Sequence, residues 1–257
     1  MLTSFVVIAV LVAMVGGAVL VARRHRIPGD LSGGAVGVLI APCVLSLYLV
    51  AAAMAVVIGW EDYKSAEDDM IAEAGAAQAL YWSSTAFPGE EGETVRGHLR
   101  DYMSTVVEDD WPLMESSGEL SPGGDDDLAT LSASVRTLSV SDTGDGLDRL
   151  TARQELTKLS DARSQRADAA EDGIPVALMA ITVLSAVVIA VLPFAMIQKG
   201  TRTAYFWAGV NLAFLFGTVV LLLFMGNPYN GVLANDSGAI EDAVEGFDRA
   251  DLTLERP

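Results

Sequence analysis

Residues 56–70 read VVIGWEDYKSAEDDM, and this stretch decides how the chain is organised. An apolar helix reaches Trp60, and no glycine or proline follows to stop it. Its continuation is strongly acidic, with carboxylates at Glu61, Asp62, Glu67, Asp68 and Asp69. The sequence therefore predicts one long helix that leaves a membrane and enters water, with acidic side chains at the exit.

Apolar and acidic residues are segregated along the chain. The 257 residues are 51% hydrophobic and carry a formal net charge of −18, a combination that one soluble domain rarely tolerates. A helix needs about 20 apolar residues to cross a bilayer. Four runs meet that requirement: residues 2–22, 33–60, 174–197 and 204–225. We therefore expect an all-α integral membrane protein with four transmembrane helices.

The first apolar run has two interpretations. A cleaved signal peptide needs a positively charged start and a cleavage site of small residues. Residues 1–4 carry no charged side chain, and the basic residues Arg23, Arg24 and Arg26 follow the run instead. A retained membrane anchor is therefore favoured. The single cysteine, Cys43, excludes an intrachain disulfide.

The four runs pair into two hairpins, residues 2–60 and 174–225, because the loops inside each pair are short. Basic residues in short loops favour the cytoplasmic side of a membrane. The two loops hold Arg23, Arg24, Arg26, Lys199 and Arg202. This pattern predicts that residues 61–173 and the tail, residues 226–257, lie outside. The excess of arginine over lysine favours a bacterial protein, and hence the inner (plasma) membrane.

Residues 61–173 are predicted to form an acidic helical domain, with 26 acidic and 9 basic residues. Apolar positions follow a 3.6-residue period from residue 61 to about 87, and a second long helix is predicted from about 147 to 172. We expect these two helices to pack as an antiparallel stalk. The acids of the first would pair with basic residues of the second, each exposed pair contributing about 0–1 kcal/mol: Arg149, Arg153, Lys158, Arg163 and Arg166.

Shorter helices are predicted between and after the two long ones. Residues 93–111 and 126–138 have helical patterns, and SSGELSPGGDDD, residues 116–127, is predicted to be a linker. The acidic tail is predicted to be partly helical after Asp236 and Ser237, with an apolar stripe at Ile240, Val244 and Phe247. Docking of this helix onto the stalk is favoured over a separate partner site.

Several functional classes are disfavoured by what the sequence lacks. The four runs contain no Asp, Glu, Lys, Arg or His, which argues against a proton pump or an ion-coupled carrier. No catalytic or nucleotide-binding motif occurs, and the acidity opposes nucleic-acid binding. We expect no enzyme, no cofactor and no metal site. Three acidic triplets, residues 67–69, 108–110 and 125–127, are interpreted as solvated faces, with calcium or another cation as the alternative.

Small residues recur every four positions in the apolar runs. Such stripes let helix backbones approach closely inside a membrane, where lipid supplies no hydrophobic drive. They predict helix contacts within or between subunits: Ala51, Ala55 and Gly59; Ala186 and Ala190; Gly209, Ala213 and Gly217.

Four motifs resemble the bacterial bestrophin-like family, in the form common in actinobacteria. They are the exit GWEDY at residues 59–63, which a small-residue helix containing Glu73 follows, VRGHLRDYMSTVVEDDWP at 95–112, LSDARSQR at 159–166 and the tail NPYNGVLANDSGAIEDAVEGFD at 227–248. The resemblance covers nearly the whole chain. It implies structural roles for Trp60, Tyr63, Trp111, Pro112, Arg163, Arg166 and Pro228.

The resemblance also implies an architecture. Bestrophins have four spans per subunit, a helical region between spans two and three, and a pentamer around one pore. Two features of this chain depart from that pattern. Its basic loops predict the opposite orientation, since bestrophins keep the middle region in the cytoplasm. The calcium-binding acidic cluster that follows the last bestrophin span is not reproduced here.

Two functions follow as hypotheses. The first is an oligomeric ion channel, most simply a pentamer, whose partners are membrane lipid, inorganic ions and further copies of the chain. Its pore mouth would carry a ring of acids that attracts cations and repels anions: Glu61, Asp62, Glu67, Asp68 and Asp69. The second is a membrane-anchored interaction or sensing protein whose acidic helices bind a partner or cations, without a pore.

Overall fold

The structure, a computed structural model, describes residues 35–87, 89–171, 173–196, 202–229 and 234–254, with isolated positions at 12, 16 and 20. Every regular element in these ranges is helical. The chain divides into two compact units. We call Met1–Trp60 with Ile174–Gly226 the membrane unit, and Glu61–Gly173 with Asn227–Pro257 the polar unit.

The described ranges contain eight α-helices, and a π-helical turn at Val106–Asp110 joins the second to the third. In chain order the helices are α1 (Ala35–Ser84), α2 (Glu90–Thr105), α3 (Trp111–Ser117), α4 (Pro122–Thr137), α5 (Thr143–Glu171), α6 (Val176–Met196), α7 (Arg202–Phe224) and α8 (Gly238–Leu254).

Three helical stretches of the described ranges are long and apolar enough to cross a membrane. They lie in Pro42–Ser84, Thr143–Pro193 and Arg202–Phe224, where the second, third and fourth spans were predicted. The prediction of an all-helical membrane protein is therefore confirmed, with three candidate spans. The first predicted span, residues 2–22, and both basic loops apart from Arg202 lie outside the described residues.

Small residues bring the helices of the membrane unit together. Ala55 is fully buried and packs with Ile174 and Leu222. A Cβ added at Gly59 would lie only 3.1 Å from the Cβ of Met225, so glycine permits this close approach. Ala51, Ala186 and Ala190 are also buried. The predicted close packing is confirmed for these two stripes.

The third small-residue stripe behaves differently. Gly209, Ala213 and Gly217 lie on an exposed face of α7. A Cβ added at Gly209 or Gly217 would meet nothing within 4 Å. This stripe therefore makes no close packing with the residues that the structure describes.

Helix α1 runs without a break through the acidic stretch, as the sequence predicted. It ends at Ser84, three residues before the predicted end. The chain turns there, because the backbone N–H groups of Thr85 and Phe87 donate to the carbonyls of Trp82 and Ser84 at 3.1 and 3.2 Å. Gly89, with a φ of 81°, then precedes α2.

Two predicted breaks in the polar unit are wrong. The helix expected to end at residues 111–112 continues through the π-helical turn into α3. Pro112 lies in the first turn of α3, directly after the π-helical turn, where the regular α-helical hydrogen-bond pattern is already interrupted. The predicted linker, residues 116–127, is mostly helical. Helix α4 begins at Pro122, and the Ser121 hydroxyl accepts a hydrogen bond from the Gly123 N–H at 3.1 Å.

The polar unit has one hydrophobic core, to which α1, α2, α4, α5 and α8 all contribute. Its fully buried side chains include Leu80, Leu99, Met103, Leu131 and Leu159. Burying a side chain of this size contributes about 1.5–3 kcal/mol. This core fixes the relative positions of the helices that carry the polar residues described below.

Helix α8 docks onto α1 and α2 as predicted for the tail. The ring of Phe247 stacks on that of Tyr81, with centroids 4.2 Å apart and planes inclined by 6°. Arg100 Nη1 lies 3.0 Å from Asp248 Oδ1, and Arg100 Nη2 lies 2.9 Å from Asp251 Oδ2. The contact therefore combines a buried aromatic pair with half-exposed ion pairs.

Candidate functional site

The five acidic residues at the start of the polar unit do not form a single cluster. Glu61 and Asp68 are exposed. Residues seven apart on a helix share a face. Asp62, Glu67 and Asp69 are half-buried and point elsewhere around α1. The exposed acidic face of this part of α1 is therefore carried by Glu61 and Asp68.

Two of these acids have perturbed surroundings. Lys64 Nζ donates to Glu67 Oε2 at 2.7 Å, and this contact raises the pKa of Lys64. Burial, followed by the neighbouring charge of Asp68, raises the pKa of Asp69 above its usual value. Glu67 is therefore paired with a cation on its own helix, whereas Asp69 holds its proton more readily than an ordinary aspartate.

Asp62 and Asp69 line a small acidic recess between α1 and α5. The recess has a volume of about 280 Å³, and Ser65, Gln165 and Asp168 also line it. Within the described ranges, no group of three or more His, Cys, Asp or Glu side chains is arranged to hold a metal ion. The recess therefore receives no metal assignment.

A buried ion-pair network lies in the core of the polar unit. Arg166 on α5 donates to Glu73 on α1, from Nε to Oε2 at 2.5 Å and from Nη2 to Oε1 at 3.1 Å. Arg166 Nη2 also donates to Asp110 Oδ2 at 2.9 Å. Arg163 donates to the same Asp110 oxygen and, from Nε, to Asp125 Oδ1 at 2.9 Å. The network thus joins α1, the π-helical turn, α4 and α5.

Apart from Asp125, whose side chain is 76% exposed, the network is almost completely removed from water. Glu73, Asp110 and Arg166 are fully buried, and Arg163 is 3% exposed. Burial by itself would lower the pKa of Arg166, but the charge and hydrogen bonds of Glu73 raise it above the usual value. Burial by itself would likewise lower the pKa of Arg163, but its hydrogen bonds to Asp110 and Asp125 and the neighbouring charges together raise it. Both arginines therefore keep their charges inside the fold.

The π-helical turn places Asp110 in this network. Asp110 is the last residue of the turn, and its Oδ1 accepts a hydrogen bond from the Ser121 N–H at 2.8 Å. The interpretation of residues 108–110 as a solvated face is wrong at this position, although Glu108 and Asp109 are exposed. The guanidinium groups that offset the desolvation of Asp110 come from α5, far along the chain.

The guanidinium of Arg163 fits into a space that a glycine leaves open. A Cβ added at Gly124 would lie 2.5 Å from Nη2 of Arg163. This nitrogen donates to the Ser121 carbonyl at 3.0 Å. The guanidinium carbon also lies 5.8 Å from the centre of the Tyr102 ring, within cation–π range. Gly124 is therefore required by packing, not by backbone conformation.

Two buried tyrosines border the network. The Tyr102 hydroxyl donates to Glu73 Oε1. Burial, and then the charge of Glu73, raise the pKa of Tyr102 well above its usual value. Burial likewise raises the pKa of Tyr229, whose hydroxyl has no hydrogen-bond partner among the described residues. The Tyr229 ring meets Trp111 edge-on at 5.7 Å. Both phenols are therefore held in the neutral form.

The predicted pairing between the two long helices holds for Arg166, which reaches Glu73. Within this chain it does not form for the basic residues nearer the start of α5. Arg149 and Arg153 donate to backbone carbonyls of Leu138 and Arg136, at 3.2 and 3.4 Å. Lys158 pairs with Glu155 on its own helix at 2.9 Å. A guanidinium group can donate hydrogen bonds to backbone carbonyls as well as to carboxylates. Charge complementarity alone therefore did not identify the partners of these residues.

The remaining residues of the family motifs have structural surroundings. Trp60 is 58% exposed, whereas Trp111 and Pro228 are buried. Asn235 donates from Nδ2 to the Tyr63 carbonyl at 3.2 Å and from its backbone N–H to the Pro228 carbonyl at 2.9 Å. Pro112 is exposed at the start of α3. The structure thus brings Arg163 and Arg166 into one site with Tyr102 and Asp110 of the motif at residues 95–112.

Sequence reasoning did not give Glu73 and Asp110 a role in this network. Glu73 did carry a usable signal, because it is the one charged residue between Met70 and Ser84. A lone charge in an otherwise uncharged helical stretch usually needs a buried partner. Asp110 carried no such signal, since it follows two other acidic residues.

A family model for the bestrophin-like domain matches residues 5–235. This range contains the three candidate spans, the acidic face of α1 and every residue of the buried network. No curated protein matches the chain. Because the family model covers most of the 257 residues, the chain belongs to the bestrophin-like family of membrane proteins.

Proposed function

We propose that the chain is a subunit of an oligomeric ion channel that prefers cations. Family membership supports the channel class. The observation that carries the cation preference is the acidic face of α1, Glu61 and Asp68, which follows the apolar part of the same unbroken helix. Copies arranged around one axis would bring several such faces to the mouth of a pore.

The two buried arginines do not neutralise this acidic face, and Lys64, which lies between Glu61 and Asp68, pairs with Glu67. Arg163 and Arg166 are committed to Glu73, Asp110 and Asp125. Their charge is therefore already balanced inside the fold. A ring of exposed carboxylates raises the local concentration of cations and repels anions, over a screening distance of about 8–10 Å at physiological salt.

The membrane helices fit a pore without a charged filter. The sequence places no charged side chain in the predicted spans, and apolar constrictions can gate by dewetting. The exposed glycines of α7, Gly209 and Gly217, leave room for another helix to approach. These features support assembly into a closed ring, most simply the pentamer that the family resemblance implies.

Orientation is the second part of the proposal. The basic loops favour the cytoplasm for Arg202 and the outside for the polar unit. Single cysteines at Ser117 and Thr201, in a background with Cys43 replaced by alanine, should then differ on intact cells. An impermeant thiol reagent should label Ser117→Cys and spare Thr201→Cys, whereas the reverse pattern would invert the orientation.

Reversal potentials in planar bilayers under a potassium chloride gradient test the selectivity. The wild-type protein should reverse near the potassium equilibrium potential. Glu61→Gln with Asp68→Asn should move the reversal potential towards the chloride value. The matched control, Asp101→Asn with Asp148→Asn, removes two exposed carboxylates from α2 and α5 and should leave it unchanged.

Three results would contradict the proposal at different levels. Wild-type reversal at the chloride equilibrium potential would exclude cation preference. Equal shifts in both double variants would leave cation preference standing but remove the acidic face of α1 as its cause. A protein that assembles yet carries no current would favour the membrane-anchored interaction protein.

A further inference from the structure

Two adjoining recesses form one groove between α1 and α5. The longer recess has a volume of about 590 Å³, and its α1 side is lined by residues from Ala72 to Ala79. The shorter is the acidic recess of about 280 Å³ described above, which begins at Asp62. Gln165 lines both, so the two recesses adjoin. We call them together the α1–α5 groove. At about 1.5 Å per residue, it follows α1 for about 25 Å.

The floor of the α1–α5 groove is apolar and consists of very small residues from both helices. They are Ala72, Gly75, Ala76, Ala79, Ala162 and Ala169. A Cβ added at Gly75 would meet nothing within 4 Å, so the space above this residue is open. The floor therefore offers methyl groups to an apolar chain and no side-chain hydrogen-bonding group.

Carboxylates line the groove at intervals on both helices. Within the described ranges, Asp69, Asp161 and Asp168 form no ion pair with a basic side chain. Asp161 and Asp168 are seven residues apart, so they share one face of α5. Lys158, the one basic residue of the lining, pairs with Glu155 at 2.9 Å. The groove therefore has an excess of negative charge that the chain itself does not neutralise.

We propose that the α1–α5 groove binds a linear polyamine such as spermine. A polyamine carries ammonium groups at intervals along a methylene chain. Its ammonium groups can pair with the spaced carboxylates, while its methylenes cover the alanine floor as the stem of a lysine side chain covers apolar surface. Burial raises the pKa of Asp69, as expected for a carboxylate that lacks a neighbouring cation.

The spacing of the carboxylates distinguishes a polyamine from a metal ion. Hard metal ions need several oxygen ligands that converge at about 2.0–2.6 Å. In the part of the chain that the structure describes, no three His, Cys, Asp or Glu side chains are arranged in that way. An extended basic peptide would place backbone amide groups over alanines, which cannot satisfy them. A polyamine has no amide groups, so it fits both the floor and the charges.

Calorimetric titration of the full chain with spermine, in a neutral detergent at low salt, tests the charges. The wild type should bind saturably. Asp161→Asn with Asp168→Asn should bind about tenfold more weakly, because two ion pairs are lost. The matched control, Asp101→Asn with Asp126→Asn, removes two carboxylates of α2 and α4 and should bind as the wild type does. All four side chains are exposed, so neither variant loses a buried contact.

Two glycines test the floor without changing any charge. Gly75 and Gly97 are both exposed helical positions where an added Cβ meets nothing within 4 Å, so the chain accommodates a large side chain at either. Gly75→Trp fills the groove and should weaken spermine binding about tenfold or more. Gly97→Trp, on α2, should bind as the wild type does. If Gly75→Trp fails to fold, hydrogen exchange of the wild type decides: spermine should slow exchange at residues 62–79 and 155–169, and slowing elsewhere alone would overturn the proposal.

A bound polyamine would also act on the proposed channel, and this consequence rests on the proposed function. Glu61, Asp68 and Gly75 are spaced by seven residues, so the groove opens beside the acidic face of α1. Spermine bound there would place positive charge next to that face and weaken its attraction for potassium ions. Spermine added to a planar bilayer on the side of the polar unit should therefore reduce the potassium current of the wild type more than that of Asp161→Asn with Asp168→Asn.

The outcomes separate the groove from the channel. Absence of saturable binding, equal weakening in both double variants, or full binding by a folded Gly75→Trp would overturn the groove assignment. Binding of oligolysine without binding of spermine would overturn it as well, in favour of a basic peptide. Groove-dependent spermine binding by a protein that carries no current would support the groove and contradict the proposed channel alone.

Discussion

Removing Arg166 should destabilise the polar unit more than any exposed substitution. Its guanidinium makes two hydrogen bonds to Glu73 and one to Asp110, and both acceptors are fully buried. Arg166→Met keeps much of the side-chain volume but leaves Glu73 with only the Tyr102 hydroxyl. Breaking one partner out of a buried ion pair costs about 3–5 kcal/mol, because the other charge stays desolvated.

Lys158→Met is a matched control for this substitution. It lies on the same helix, α5, removes the same charge and introduces the same residue. Lys158 is 65% exposed and pairs with Glu155, so its loss should cost about 0–1 kcal/mol. The difference between the two variants then isolates burial from charge and helix propensity.

Hydrogen exchange of the full chain in detergent measures the effect. In Arg166→Met, amides of Val106–Asp110 and of α5 around residue 166 should exchange faster by roughly two to four orders of magnitude, at 1.4 kcal/mol per factor of ten. Adding Glu73→Gln should restore part of the protection, since it removes the uncompensated carboxylate while retaining an oxygen that can accept from Tyr102. Exchange in Arg166→Met within tenfold of that in Lys158→Met would refute the reasoning.

Three further outcomes follow from the same contacts. Gly124→Ala should destabilise the polar unit by about 1–3 kcal/mol in thermal unfolding, because the added Cβ meets the Arg163 guanidinium. Gly97→Ala, whose Cβ lies in open space, should stabilise the unit slightly. Equal effects of the two substitutions would contradict the packing argument. Phe247→Ala should weaken the docking of α8 by about 3–5 kcal/mol, because the ring is buried. Arg100→Gln should weaken it by only about 1–2 kcal/mol, because the ion pairs are half-exposed. Limited proteolysis should therefore cut the tail faster in Phe247→Ala than in Arg100→Gln. The pKa of Tyr102 in the folded state lies above the unfolded value of about 10, so above that pH the folded state keeps a proton that the unfolded state releases. The contribution of Tyr102 to the free energy of unfolding is therefore full below about pH 10 and is lost at higher pH. Tyrosinate absorbance of wild type and Tyr102→Phe should therefore differ only after the helical signal is lost.

The long helix was predictable because its signals are local. Trp60 ends an apolar run, and no proline follows before Ser84, with Gly75 the one glycine in between, so the helical pattern carries α1 onward. Docking of α8 was equally visible, since Ile240 and Phe247 repeat on one helical face and are buried. Periodicity reports these features directly, because each depends on residues a few positions apart.

The buried network was not predictable, because its partners are distant in sequence. Asp110 looks solvated beside two other acids, and only the arginines of α5 make its burial possible. The apparent break at Pro112 and the apparent linker before α4 had the same cause. Proline and glycine mark turns on average, but Pro112 fits a first helical turn and Gly124 makes room for Arg163.

A density map of the detergent-solubilised particle tests the central claim most directly. The account predicts a closed ring of copies around an open axis, with Glu61 and Asp68 of each α1 facing that axis. A particle without an axial opening, or one whose α1 acidic faces point away from it, would contradict the proposal of a cation-preferring pore.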